Sequence, residues 1–160
     1  MSKIDKKNRF YYDSSFLGSS SGRSLRILSE YYGPLQRLER NNVSETIVFF
    51  GSARIPSKKD AELALQNHSD KKDLQTIAKL KMDVKMSRYY EEARELANKF
   101  TVWSKSLKDS KHRYIICSGG GPGIMEAANR GASEANGVNV GLTISLPFES
   151  SENEWISDDL

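Results

Sequence analysis

Cysteine is nearly absent: Cys117 stands alone in 160 residues, which excludes an internal disulfide and any cysteine-based metal spacing and suits a reducing compartment. Histidine is almost as scarce. His68 and His112 have no acidic or cysteine partner at a spacing that would hold a metal or activate a nucleophile, and Cys117 has no histidine near it in sequence. All three therefore read as structural, and no metal is expected. Long apolar runs are missing too. None approaches the roughly 20 residues that cross a bilayer, and Met1-Ser2-Lys3-Ile4-Asp5-Lys6-Lys7-Asn8 lacks the apolar core of a secretory signal. The expectation is a cytoplasmic protein with no membrane partner. A net charge of +3, with the basic residues scattered among acids, gives no stripe of the kind a duplex demands, so no nucleic acid is expected. Lys105, Lys108, Lys111 and Arg113 do cluster, and read as a solvated helix end.

What is present fits one core, since 160 residues fall within the usual range of about 100–200 for a domain. Residues 1–22 are rich in Ser, Lys and Tyr without a sustained period, and read as a mobile arm. Residues 23–44 form a helical extension. Leu25, Leu28, Tyr31 or Tyr32, Leu35 and Leu38 recur at helical spacing, with Gly33-Pro34 expected to interrupt, so that one or two short helices pack on the outside of the core.

The region 45–148 carries the fold. Thr46-Ile47-Val48-Phe49-Phe50 predicts a strand covered on both faces, and Tyr114 to Cys117 predicts a second. Val138-Asn139-Val140-Gly141-Leu142-Thr143-Ile144 predicts a third. Between the first two, Lys58 to Lys85 reads as an extra helix or an extended lead-in. An amphipathic helix follows with Met86, Tyr89, Tyr90, Ala93, Leu96, Ala97, Phe100 and Trp103 on its core face. Between the second and third strands, Ile124, Ala128, Ala132 and Ala135 form a small-residue face suited to close packing, stopped by Asn136-Gly137. Strands alternating with helices imply an α/β fold, a Rossmann-like doubly wound parallel sheet. Three strands are few where common forms have about five or six, so the sheet is expected to be incomplete, with residues 149–160 as a truncated polar tail.

Ligands of such sheets bind beyond the carboxyl ends of the strands. Three segments lie there: Gly51-Ser52-Ala53-Arg54, Ser118-Gly119-Gly120-Gly121-Pro122-Gly123, and Ser145-Leu146-Pro147. The second runs from a strand into a helix, with Pro122 where no donor is needed, and suits an anion at the helix start. Arg54 offers a fork that matches phosphate, against the alternative of a solvated loop arginine. Glu126 lies early in the helix, where it either complements the dipole or contacts a ribose or base. The turn is not G-x-x-x-x-G-K-[ST], because no lysine follows Gly123. Nor is it G-x-G-x-x-G, because Ile124 stands where the last glycine belongs, and no acid lies about twenty positions on to hold a ribose. A dinucleotide cofactor is disfavoured and no cofactor is expected. A mononucleotide or a sugar phosphate remains open.

Gly119-Gly120-Gly121-Pro122-Gly123-Ile124-Met125-Glu126-Ala127-Ala128-Asn129-Arg130-Gly131-Ala132, preceded by Phe50-Gly51-Ser52-Ala53-Arg54 and followed by Gly141-Leu142-Thr143-Ile144-Ser145-Leu146-Pro147, resembles the Lonely Guy (LOG) family over about Arg23 to Phe148. The resemblance implies a phosphoribohydrolase that cleaves the N-glycosidic bond of a nucleoside 5′-monophosphate, a cytokinin nucleotide or AMP, to free base and ribose 5-phosphate. It implies that Gly51, Ser52 and Ser118 to Gly123 line the nucleotide pocket, with Met125 and Glu126 beside them. The ligand is then a nucleoside monophosphate, and a homodimer is compatible. The family's catalytic arginine and glutamate belong to an arginine-containing segment and a P-G-G-x-G-T-x-x-E motif, and neither is found after Phe148. The expectation is therefore a chain without catalytic residues, inactive by itself. The alternative is a non-catalytic nucleotide-binding or carrier module of the same fold.

Overall fold

A computed structural model describes residues 9–68, 73–107, 113–144 and 152–160. The segment Ser145-Leu146-Pro147, and with it Lys108, Lys111 and His112 of the sequence reading, lies outside the described residues. The chain divides into two compact units, Met1–Arg40 and Asn41–Leu160.

In the first unit the expectation of an arm without periodic structure needs correcting. A short 3-10 turn, Phe10–Tyr12, leads into α1, Ser14–Gly18, whose start is held by the Asp13 carboxylate accepting from the Ser15 and Phe16 N–H groups. Helix α2 runs unbroken over Arg23–Arg40 with Pro34 inside it, so Gly33-Pro34 does not interrupt. A proline leaves the carbonyl one turn back without its donor, and on an exposed helix water can take that place. The Arg26 guanidinium ties α2 to α1 by donating to the carbonyls of Leu17 and Ser19.

The second unit is the α/β fold. Strands β1 (Thr46–Val48), β2 (Ile115–Gly119) and β3 (Asn139–Leu142) form one parallel sheet in the order β1-β2-β3. Its register sets Val48 beside Cys117 beside Val140, and Ile47 beside Ile116 beside Asn139. Only β2 is central, and its first four residues, Ile115 to Ser118, are all buried. The expectation that the first strand is covered on both faces fails: β1 is an edge strand that alternates, with Ile47 half-buried, Val48 53% exposed and Phe50, just past its end, 94% exposed. Ile47 meets the core through one face, and the described helices leave the other face open.

Between β1 and β2 come α3 (Lys58–His68), α4 (Leu74–Met86) and α5 (Arg88–Ser106). The charge-rich lead-in is thus two helices. The first is capped by Ser57 and Asp60, the Ser57 hydroxyl donating to the Asp60 carboxylate and accepting from the Asp60 N–H, and the second by Asp73. On α5 the core stripe is narrower than the sequence suggests. Tyr90, Ala97 and Thr101 are buried, whereas Tyr89, Leu96 and Trp103 stay exposed.

Helix α6, Ile124–Glu134, joins β2 to β3 and packs on α5. The core lies between these two helices and the sheet: Ile116, Ala97, Ala128 and Ala132 are fully buried, with Ile47, Phe49 and Phe100 against them. Small residues make the approach possible. A Cβ on Gly131 would fall onto the Arg94 carbonyl oxygen, and the Asn98 amide donates to the Gly131 carbonyl at 3.1 Å across the same contact. Arg94 closes the seam outside by donating to Glu134 through Nε at 2.6 Å and to Glu91 through Nη1 at 3.1 Å.

Adding bulk at Gly131 must push α5 and α6 apart. Gly131→Val is expected to destabilise the protein by about 1–3 kcal/mol, the usual cost of overpacking, and a urea titration followed by circular dichroism checks it. An unchanged midpoint would contradict this account of the seam.

Candidate functional site

The carboxyl end of β1 leads into Gly51-Ser52-Ala53-Arg54, and the carboxyl end of β2 leads into the glycine turn and α6. The two loops touch backbone to backbone. Gly123 caps α6 with φ of 74°, and a Cβ there would fall onto the Ser52 carbonyl oxygen and crowd Ala53. The Ile124 N–H donates to that carbonyl at 3.1 Å, and the Ile124 side chain lies against Gly51. Gly51, Ser52 and Gly123 are thereby brought to one place. The Ser52 hydroxyl accepts from the Arg54 N–H at 3.1 Å and shapes the loop, while Arg54 is exposed one residue beyond Ala53.

The remaining expected site residues sort by what they touch. Ser118 is buried, and its hydroxyl donates to the Phe49 carbonyl at 2.9 Å, so the structure uses it to tie β2 to the end of β1. The Gly120 N–H donates to the Leu142 carbonyl at 2.9 Å, extending the sheet into the turn. Met125 lies across the turn, its sulfur over Gly119 and its methyl against Gly121. No side chain caps α6. Among the described residues its first N–H groups beyond Ile124 meet no side-chain cap, and free N–H groups at a helix start suit an anion.

Glu126 has a partner the sequence did not suggest. The Tyr90 phenol, fully buried in the first turn of α5, donates to Glu126 Oε1 at 2.7 Å. Arg130, one turn further along α6, reaches the same phenol, donates to Glu134 at 3.0 Å and lies over the Trp155 ring at 4.9 Å. Burial first, and then the hydrogen bond to Glu126, push the Tyr90 phenol well above the ordinary tyrosine range, with Arg130 opposing. Tyr90 was legible only as a member of the α5 core stripe.

Two asparagines were also missed. Asn129, fully buried, donates through Nδ2 to the Gly119 carbonyl at 3.4 Å, and its Oδ1 is without a partner among the described residues. Asn153 donates its main-chain N–H to the Gly120 carbonyl at 2.8 Å, and its Nδ2 to the carbonyls of Gly120 and Gly121 at 3.0 and 3.1 Å. Nothing in the polar stretch around Asn153 signals this, and within residues 152–160 Ile156 also packs on the turn, against Gly120. Cys117 is buried with its thiol pushed up by that burial, and the His68 ring lies 3.0 Å from the Ala64 carbonyl of its own helix. Among the described residues no group of His, Cys, Asp and Glu could hold a metal, and no helix is long and apolar enough to cross a membrane.

The Tyr90 phenol makes a pH prediction with a definite sign. A phenol whose folded pKa is raised above its unfolded value of about 10 adds stability that is fully present below that value and is lost as pH rises above it. Denaturant unfolding at pH 8 and pH 11 should therefore show wild type losing more stability than Tyr90→Phe over that interval. Burial raises Cys117 as well, and it is common to both proteins, so the difference between them isolates Tyr90. Equal losses would refute the buried phenol.

The SLOG cluster4 family model matches residues 108–157, a stretch that contains the glycine turn, all of α6 and Asn153. No curated protein matches the chain. The family match links this segment to the SLOG superfamily, which includes LOG-like proteins, and at that level to a nucleotide-related function.

Proposed function

We propose that the glycine turn and the Gly51–Arg54 loop bind a nucleoside 5′-monophosphate, with the phosphate at the start of α6 and the sugar toward Glu126. One observation carries the reading: the backbone contact of Gly123 with Ser52 and Ala53, which gathers two strand-end loops and an uncapped helix start at the carboxyl end of a parallel sheet. The match of residues 108–157 to a SLOG family supports a nucleotide over other anions. Arg54, Gly119, Gly120 and Gly121 complete the binding set.

Within that class the reading is a LOG-type phosphoribohydrolase site acting on AMP or a cytokinin nucleotide. Cleaving the N-glycosidic bond develops an oxocarbenium-like sugar that needs an adjacent carboxylate and a held water. No P-G-G-x-G-T-x-x-E occurs in the 160 residues, and Glu126 already accepts from Tyr90. These residues accordingly supply nucleotide binding, and the catalytic acid and arginine are not among them.

Calorimetry with AMP and adenosine, paired with chromatographic assay for adenine, tests both halves. AMP should bind at least about tenfold more tightly than adenosine, the phosphate adding a charge-assisted contact of about 1.4 kcal/mol or more. Gly123→Val should abolish the preference. Adenine should not be released. Equal affinities would overturn the phosphate assignment, and release of adenine by the purified chain would overturn the placement of the catalytic groups elsewhere.

A further inference from the structure

We propose that Asn153 is a positioning residue for the anion-binding turn: it holds the Gly120 and Gly121 carbonyls to one side so that the Gly121 N–H is presented on the other. The inference rests on the nucleotide reading above and adds to it a residue far along the chain that sets the turn's polarity. A peptide unit is planar and trans, so the carbonyl of Gly120 and the N–H of Gly121 point in opposite directions. Whatever fixes the first aims the second. Asn153 fixes it twice, through its main-chain N–H at 2.8 Å and its Nδ2 at 3.0 Å.

The same Nδ2 holds the Gly121 carbonyl at 3.1 Å, and the next nitrogen belongs to Pro122, which has no hydrogen to present. One peptide earlier, Asn129 holds the Gly119 carbonyl at 3.4 Å while the Gly120 N–H is spent on Leu142. Three successive glycine carbonyls are therefore held by two asparagine amides, and the N–H of Gly121 is the donor this arrangement turns away from Asn153. Without such a hold, glycine peptides rotate cheaply and could present a carbonyl to the anion instead.

The orientation of the Asn153 amide is itself determined. Its Oδ1 accepts the Trp155 N–H at 3.2 Å, which only an oxygen can do, so the nitrogen must face the two glycine carbonyls. Ile156 seats the same segment by packing against Gly120 and Gly141 without touching the polarity of the turn. It serves as the control.

Asn153→Ala, Asn153→Asp and Ile156→Ala are compared with wild type in the full chain. In ligand-free nitrogen-15 spectra the Gly121 amide should move or broaden in both Asn153 variants and much less in Ile156→Ala. In calorimetry Asn153→Ala should weaken AMP by about tenfold and leave adenosine unchanged, with Asn153→Asp weaker still because a carboxylate would oppose the two carbonyls. Inorganic phosphate, added as a titrant, should shift the Gly121 amide in wild type and Ile156→Ala only. An unmoved Gly121 resonance in Asn153→Ala, or equal loss of AMP and adenosine in all three variants, would overturn the inference. Should wild type bind neither AMP nor inorganic phosphate, the nucleotide reading fails. The ligand-free spectra still decide whether Asn153 orients the turn.

Discussion

The contact of Gly123 with Ser52 and Ala53 is the constraint on which the site depends. A helix start, the end of the central strand and the loop after the edge strand can meet there only because position 123 has no side chain and accepts a positive φ. The Ile124 N–H, the first of the helix, goes to the Ser52 carbonyl. One backbone hydrogen bond thus joins the two loops.

Behind that contact the structure is held by approach distance more than by bulk. Ala97, Ala128 and Ala132 are fully buried and Gly131 meets the α5 backbone, so α5 and α6 lie close and their polar edges can reach each other. Arg94, Glu134, Arg130 and Glu91 form a continuous set of ion pairs along that seam, and Glu91 also accepts the Lys58 N–H at the start of α3. These pairs are partly solvated, and each contributes modestly. Their combined effect is geometric: they hold the first half of α5 against the last turns of α6 and against the start of α3.

Much of this was legible in the sequence because the signals are local. The apolar run into β2, the glycines after it and the small-residue face of α6 lie within one continuous stretch, and each reports on the conformation of its own neighbourhood. Other features were not legible. Pro34 stays within α2, a helix with no buried residue, and exposure is a property of the folded surroundings. The apolar run of β1 suggested two covered faces, but only the helices packed on the sheet decide which faces are covered. Tyr90 looked like one more core residue, and its hydroxyl group found Glu126 across 36 positions of sequence.

By itself the sequence determined the α/β class and the glycine turn that runs from a strand into a helix, since these follow from periodicity and glycine placement. Only the tertiary structure decided how those parts face one another. Register set the strands side by side, Gly123 brought Ser52 to the helix start, and Asn153 closed on Gly120 from 33 positions away. The reason is physical: an asparagine amide in a polar stretch carries no mark of the carbonyl it will meet, because that partner is chosen by chain packing and not by neighbours in sequence.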